Sequence, residues 1–85
     1  MKSFKQMITS LIESFESSSQ AAIHAQMTPS LLAHWRVAGL PLKEILMPNH
    51  IKRLVEEAQK RGCKLELEEV IEAARIMRFG GKKDA

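Results

Sequence analysis

The sequence predicts an all-α protein, a compact bundle of about five helices. Three observations point there. Apolar residues recur at i, i+3, i+4 and i+7 along much of the chain, the spacing of one helix face. Aromatic residues are few (Phe4, Phe15, Trp35 and Phe79, with no Tyr), so a core must come mainly from Leu, Ile, Val, Met and Ala. Serine, threonine, proline and glycine stand where helices of that period would start and stop.

Phe4, Met7, Ile8, Leu11, Ile12 and Phe15 mark the first helix, with Ser3 as its N-cap. The run Glu16-Ser17-Ser18-Ser19 breaks it in a tight corner. A short second helix holds Gln20 to Ala25. The third opens with Thr28 as N-cap and Pro29 at the first helical position, and stops before Gly39 and Pro41. These two helices are too short to bury themselves, so they must pack on a further element at a steep angle. Leu42 to Met47 suits a brief helical turn.

Pro48 and Asn49 then start a longer helix with Ile51, Leu54, Val55 and Ala58 on one face, and Gly62 follows it in the position that favours a left-handed residue. The last helix runs from Leu65 to Met77, acidic early and basic late as the helix dipole favours, with Val70, Ile71, Ala74 and Met77 as its stripe. A short strand over 63–67 competes, because Cys63, Leu65 and Leu67 alternate with charged residues. Residues 1–79 form one domain and 80–85 a flexible tail.

With 45% hydrophobic and 27% charged residues, the chain has the balance of a globular domain and not of a disordered one. A net charge of +3 permits a polyanionic partner without requiring one. Its distribution says more: from Ser17 to Gly39 the only formally charged residue is Arg36, whereas Lys43, Lys52, Arg53, Lys60, Arg61 and Lys64 follow. Cys63 is the only cysteine, which excludes an intrachain disulfide and a cysteine-based zinc site and suits a reducing compartment. Polar residues interrupt the N-terminal apolar positions and no stretch reaches transmembrane length, so a cytoplasmic protein without membrane attachment is expected.

His24, His34 and His50 lack metal-ligand spacing, and Ser18 with His24 makes no catalytic pair. Neither enzyme activity, nor a metal, nor a cofactor is expected.

The segment Phe15 to Pro41, FESSSQAAIHAQMTPSLLAHWRVAGLP, resembles the helix-turn-helix of phage Cro and related small repressors of the XRE-like family. Phe15, Ala22, Leu32, Trp35, Arg36, Gly39, Leu40 and Pro41 fall on that pattern without a gap. Gln26 takes the place of the usual turn glycine, a position that often needs φ > 0. Near the end, Gly62 to Val70 looks like the Gly-Gly-x-Val-Thr-x-Glu-Glu-Leu run of small Cro-like proteins.

The resemblance implies a lambda-repressor-like fold and a transcriptional regulator that occupies a double-stranded DNA operator with its third helix in the major groove. Phe15, Ala22, Leu32 and Trp35 would be the motif core. Thr28, Ser30, Leu31 and His34 would face base edges, and Gln20, Arg36, Lys43, His50, Lys52 and Arg53 phosphates. One such unit touches few base pairs, so a homodimer on a two-fold site is implied, with Val70, Ile71, Ala74, Met77 and Phe79 as contacts if they are not simply core. The scarcity of charge from Ser17 to Gly39 keeps a second reading open: a small helical protein-binding module, an inhibitor or adaptor, that uses such a scaffold without DNA.

Overall fold

A computed structural model describes residues 3–80. Six helices follow one another: α1 (Phe4–Glu13), α2 (Ser18–His24), α3 (Pro29–Ala38), α4 (Leu42–Leu46), α5 (His50–Lys60) and α6 (Leu67–Phe79). There is no strand among the described residues. Of the expected tail only Gly80 lies within them, in a left-handed conformation after α6 (φ 83°). The Cα radius of gyration is 12.0 Å, close to the value of about 12 Å expected for a compact chain this long.

Local chemistry explains most of the boundaries. Ser3 and Gln6 form a reciprocal capping box at the start of α1: Gln6 N–H donates to Ser3 Oγ at 3.2 Å, and Ser3 N–H to Gln6 Oε1 at 2.9 Å. Helix α5 ends in a Schellman motif, in which Cys63 N–H reaches the Ala58 carbonyl and Gly62 N–H that of Gln59, both at 3.0 Å. Gly62 supplies the positive φ (98°) that this closure requires.

Two expectations are corrected. The helix count is six, because 42–46 forms a helix of its own where the sequence suggested only a turn. The alternative strand over 63–67 does not form. Residues 63–66 are irregular and α6 starts at Leu67; Cys63, Leu65 and Leu67 still turn onto the core, so their alternation reflects burial. Instead of pairing with a strand, the Leu65 carbonyl accepts from Gln59 Nε2 at 2.8 Å.

The core draws on every helix, with Phe4, Ile8, Leu11, Leu32, Trp35, Leu40, Ile51, Leu54, Val55 and Val70 almost wholly enclosed. Helix α2 packs on α3 and α5, while α1 touches α2, α3, α5 and α6. Gly39 ends α3 at φ 87°, ψ −176°, a region open essentially to glycine alone. A Cβ there would also stand 3.1 Å from Met77 Sδ, so the end of α3 lies directly against α6.

One buried polar group has no counterpart in the sequence reading. Glu44, on α4, is 3% exposed. Its Oε1 accepts from Asn49 N–H at 3.0 Å and from Ile51 N–H at 3.2 Å. Asn49 is the N-cap of α5 by position, but its own side chain makes no capping bond. The carboxylate of the preceding helix does the capping, where the positive end of the helix dipole favours an anion. Glu44→Ala should therefore destabilise by about 2–4 kcal/mol, because two N–H groups lose their acceptor. Glu44→Gln, which keeps a carbonyl oxygen, should lose clearly less in the same urea titration; equal losses would rule out capping as the cause.

Candidate functional site

The exposed face of α3 depends on how α2 hands over to it. Helix α2 starts on Ser17, whose Oγ accepts from Gln20 N–H at 3.2 Å. It ends in a second Schellman closure: Met27 N–H reaches the Ala22 carbonyl at 2.9 Å and Gln26 N–H that of Ile23 at 3.0 Å. The left-handed residue is Gln26 (φ 60°), the only described residue other than glycine with positive φ. Ala21, Ala22 and Ala25 are fully buried, which lets the neighbouring helices approach closely. Two residues beyond Gln26, Thr28 Oγ1 caps α3 by accepting from Leu31 N–H at 3.1 Å, and Pro29 opens the helix.

Leu32 and Trp35 then fix the inward side of α3. Helical geometry turns Ser30, Ala33, His34 and Val37 outward, with Leu31 on the flank. Thr28, Ser30, Leu31 and His34 are all exposed, so the expected base-facing residues share one accessible stretch. Val37, missed in the sequence reading, is 76% exposed on the same side. Its position three residues after His34 and four after Ala33 was the available signal. Phe15, Ala22, Leu32 and Trp35 are buried.

The residues expected on phosphates divide into two groups. Gln20, Lys43, Lys52 and Arg53 are exposed, Lys52 and Arg53 in the first turn of α5. Arg36 and His50 are half-buried and turned onto the protein. Arg36 Nη2 lies 3.5 Å from Thr9 Oγ1 on α1, and its Nε is buried without a hydrogen-bond partner. His50 Nδ1 lies 3.0 Å from the Ala25 carbonyl and ties the start of α5 to the end of α2. Of the α6 residues considered for a subunit contact, Val70, Ile71 and Ala74 belong to the core, whereas Met77 and Phe79 are exposed.

A charged bracket holds α2 against the far end of α5. Arg61 lies over the Phe15 ring at 4.6 Å and His24 stacks on the same ring at 5.4 Å. Arg61 Nη2 also reaches His24 Nε2 at 3.1 Å, while His24 Nδ1 is 3.6 Å from Glu57 Oε1. The hydrogen bond from Lys60 holds the Glu57 carboxyl below the ordinary glutamate range, and Arg61 and His24 lower it further.

Electrostatically, one long segment stands apart. From Ser17 to Val55 the only acidic residue is Glu44, and its carboxylate is enclosed under α5. That segment therefore exposes no carboxylate while presenting Lys43, Lys52 and Arg53. Among the described residues no group of three or more His, Cys, Asp or Glu is placed to hold a metal ion, and no helix is long and apolar enough to cross a membrane. Comparison with protein-family models, curated proteins and solved structures finds no match to this chain.

The positive φ at Gln26 makes the handover testable. A residue with a Cβ pays about 1–2 kcal/mol in this conformation, and glycine returns part of that gain through unfolded-state entropy. Gln26→Gly should thus stabilise by up to about 1 kcal/mol, raising Tm by several degrees in a thermal scan. A lower Tm for Gln26→Gly would contradict the left-handed turn.

Proposed function

We propose that the protein is a sequence-specific double-stranded DNA-binding regulator of the Cro/repressor type, with α2 and α3 as its helix-turn-helix and α3 in the major groove. The observation that carries this reading is the segment from Ser17 to Val55: an outward helix face followed by basic residues, with its one acid buried. No residue of this segment offers an exposed carboxylate to a polyanion. The residue pattern from Phe15 to Pro41 adds the resemblance to known readers of operators.

In this reading the labour divides as it does in DNA readers generally, where phosphate contacts position and base contacts specify. Gln20, Lys43, Lys52 and Arg53 hold the backbone. Thr28, Ser30 and His34 offer hydrogen-bonding groups to base edges, and Leu31, Ala33 and Val37 offer methyl surface to thymine. Arg36 and His50 support the scaffold from inside. A face this poor in charge reads few bases, so a second copy on a two-fold operator supplies the remaining specificity.

Exposed apolar side chains give the second reading its support. Val37 on α3, at 76% exposure, and Ile23 on α2, at 61%, would each suit a protein groove.

Salt separates the two. Three cationic phosphate contacts per subunit predict an affinity for a labelled duplex that falls about fortyfold per subunit between about 50 and about 200 mM salt. Replacing Lys52 and Arg53 together by alanine should reduce the slope of log affinity against log salt by about 2 per subunit. His34→Ala should instead weaken the preferred sequence and leave the slope unchanged. Binding indifferent to salt, or none at low salt, overturns the DNA reading.

A further inference from the structure

Met77, on α6, closes over the end of α3. Its Sδ would stand 3.1 Å from a Cβ at Gly39, its Cε 3.6 Å and its Cγ 3.7 Å. Sulfur is nearest and the two carbons are almost equidistant, so one face of the thioether lies on the glycine. The contact needs a residue without a side chain, and the backbone of Gly39 suits glycine alone (φ 87°, ψ −176°). Gly39 N–H donates to the Trp35 carbonyl at 2.8 Å and closes the last turn of α3.

The same side chain is open to solvent. Met77 is 42% exposed and borders the groove between α1 and α6. The other described methionines are placed differently. Met7 is 6% exposed and belongs to the core, Met27 is half-buried, and Met47 is 77% exposed and so has little packing to lose. Met77 alone among them combines exposure with a contact on the residue that ends α3. We propose that Met77 is an oxidation site, through which a hydroperoxide loosens the end of α3.

The chemistry needs one oxygen atom from the peroxide. A lone pair of Sδ attacks a peroxide oxygen, the O–O bond breaks and an S–O bond forms. Sulfur is oxidised by two electrons to the sulfoxide. The departing hydroxide takes the proton of the transferred oxygen and leaves as water. A soft apolar thioether thereby becomes a polar, chiral group that draws water. The cover over Gly39 is lost, and with it the support of the last turn of α3. Trp35, the only tryptophan, reports the event by its fluorescence.

The test treats the full chain with hydrogen peroxide, without nucleic acid, and maps each sulfoxide by peptide mass spectrometry. Met47 and Met77 should oxidise well before Met7. As the Met77 sulfoxide accumulates, Trp35 emission should shift, the amide resonances of Val37, Ala38 and Gly39 should move, and Tm should fall by several degrees. Methionine sulfoxide reductase should reverse all three changes. Met77→Leu, which nearly conserves volume, should abolish the response although Met47 still oxidises; Met47→Leu should keep it. If Met77→Leu does not fold, the time course decides, because the response must follow the Met77 sulfoxide and not that of Met27. The proposal is overturned if Met77 is as protected as Met7, or if full oxidation of Met77 leaves Trp35 emission and the Gly39 amide unchanged. It is equally overturned if Met77→Leu responds like the unsubstituted protein, if Met47→Leu removes the response, or if the response follows Met27.

Discussion

The carboxylate of Glu44 is the constraint on which most of the architecture leans. It sits in the middle of a five-residue helix that could not stand alone, and it holds the first turn of α5 by two backbone N–H groups. Helix α5 in turn carries the ring of His50 onto the Ala25 carbonyl, and with it the end of α2. At its other end Arg61 grips Phe15 and His24. Helix α2 is thereby fastened at two points, and the direction of α3 follows from it. The same burial removes the one acid from the surface of the segment from Ser17 to Val55. One interaction thus serves both packing and surface charge.

The second constraint is local. Seven residues of α2 and ten of α3 meet across a closure whose left-handed residue is Gln26. Fully buried alanines on α2 and the inward pair Leu32 and Trp35 leave α3 a single free side. That side is small and weakly polar. In the proposed DNA complex the affinity must therefore come from residues beside α3, notably Lys43, Lys52 and Arg53, while α3 contributes discrimination. Arg36, the one formal charge on α3, is directed toward α1.

Much of the helix punctuation was legible in the residues themselves, because caps and stops are local chemistry. Ser3, Thr28-Pro29, Gly39 and Gly62 announce their roles within a few positions of sequence. The positive φ of Gln26 was legible too, through its place in a turn pattern. Tertiary polar chemistry was not legible. Glu44 reads as an ordinary surface acid until the chain brings Asn49 and Ile51 back over it. Arg36 and His50 read as exposed phosphate contacts until Thr9 and the Ala25 carbonyl claim them. The alternation at 63–67 misled for a related reason: a period of two also describes an extended segment that buries alternate residues without pairing. Of the proposed site, the exposed face of α3 could be read from helical spacing, though Val37 was overlooked. The absence of exposed acid required knowing where Glu44 points.

In the proposed complex α3 and the basic residues after it form one surface for DNA. Amide chemical-shift mapping with a short duplex at low salt tests this most directly. The expected shifts concentrate at Ser30, Leu31, His34 and Val37 and at Lys43, Lys52 and Arg53, and added salt reverses them. Shifts confined to α1 and α6, or none at all, would contradict it.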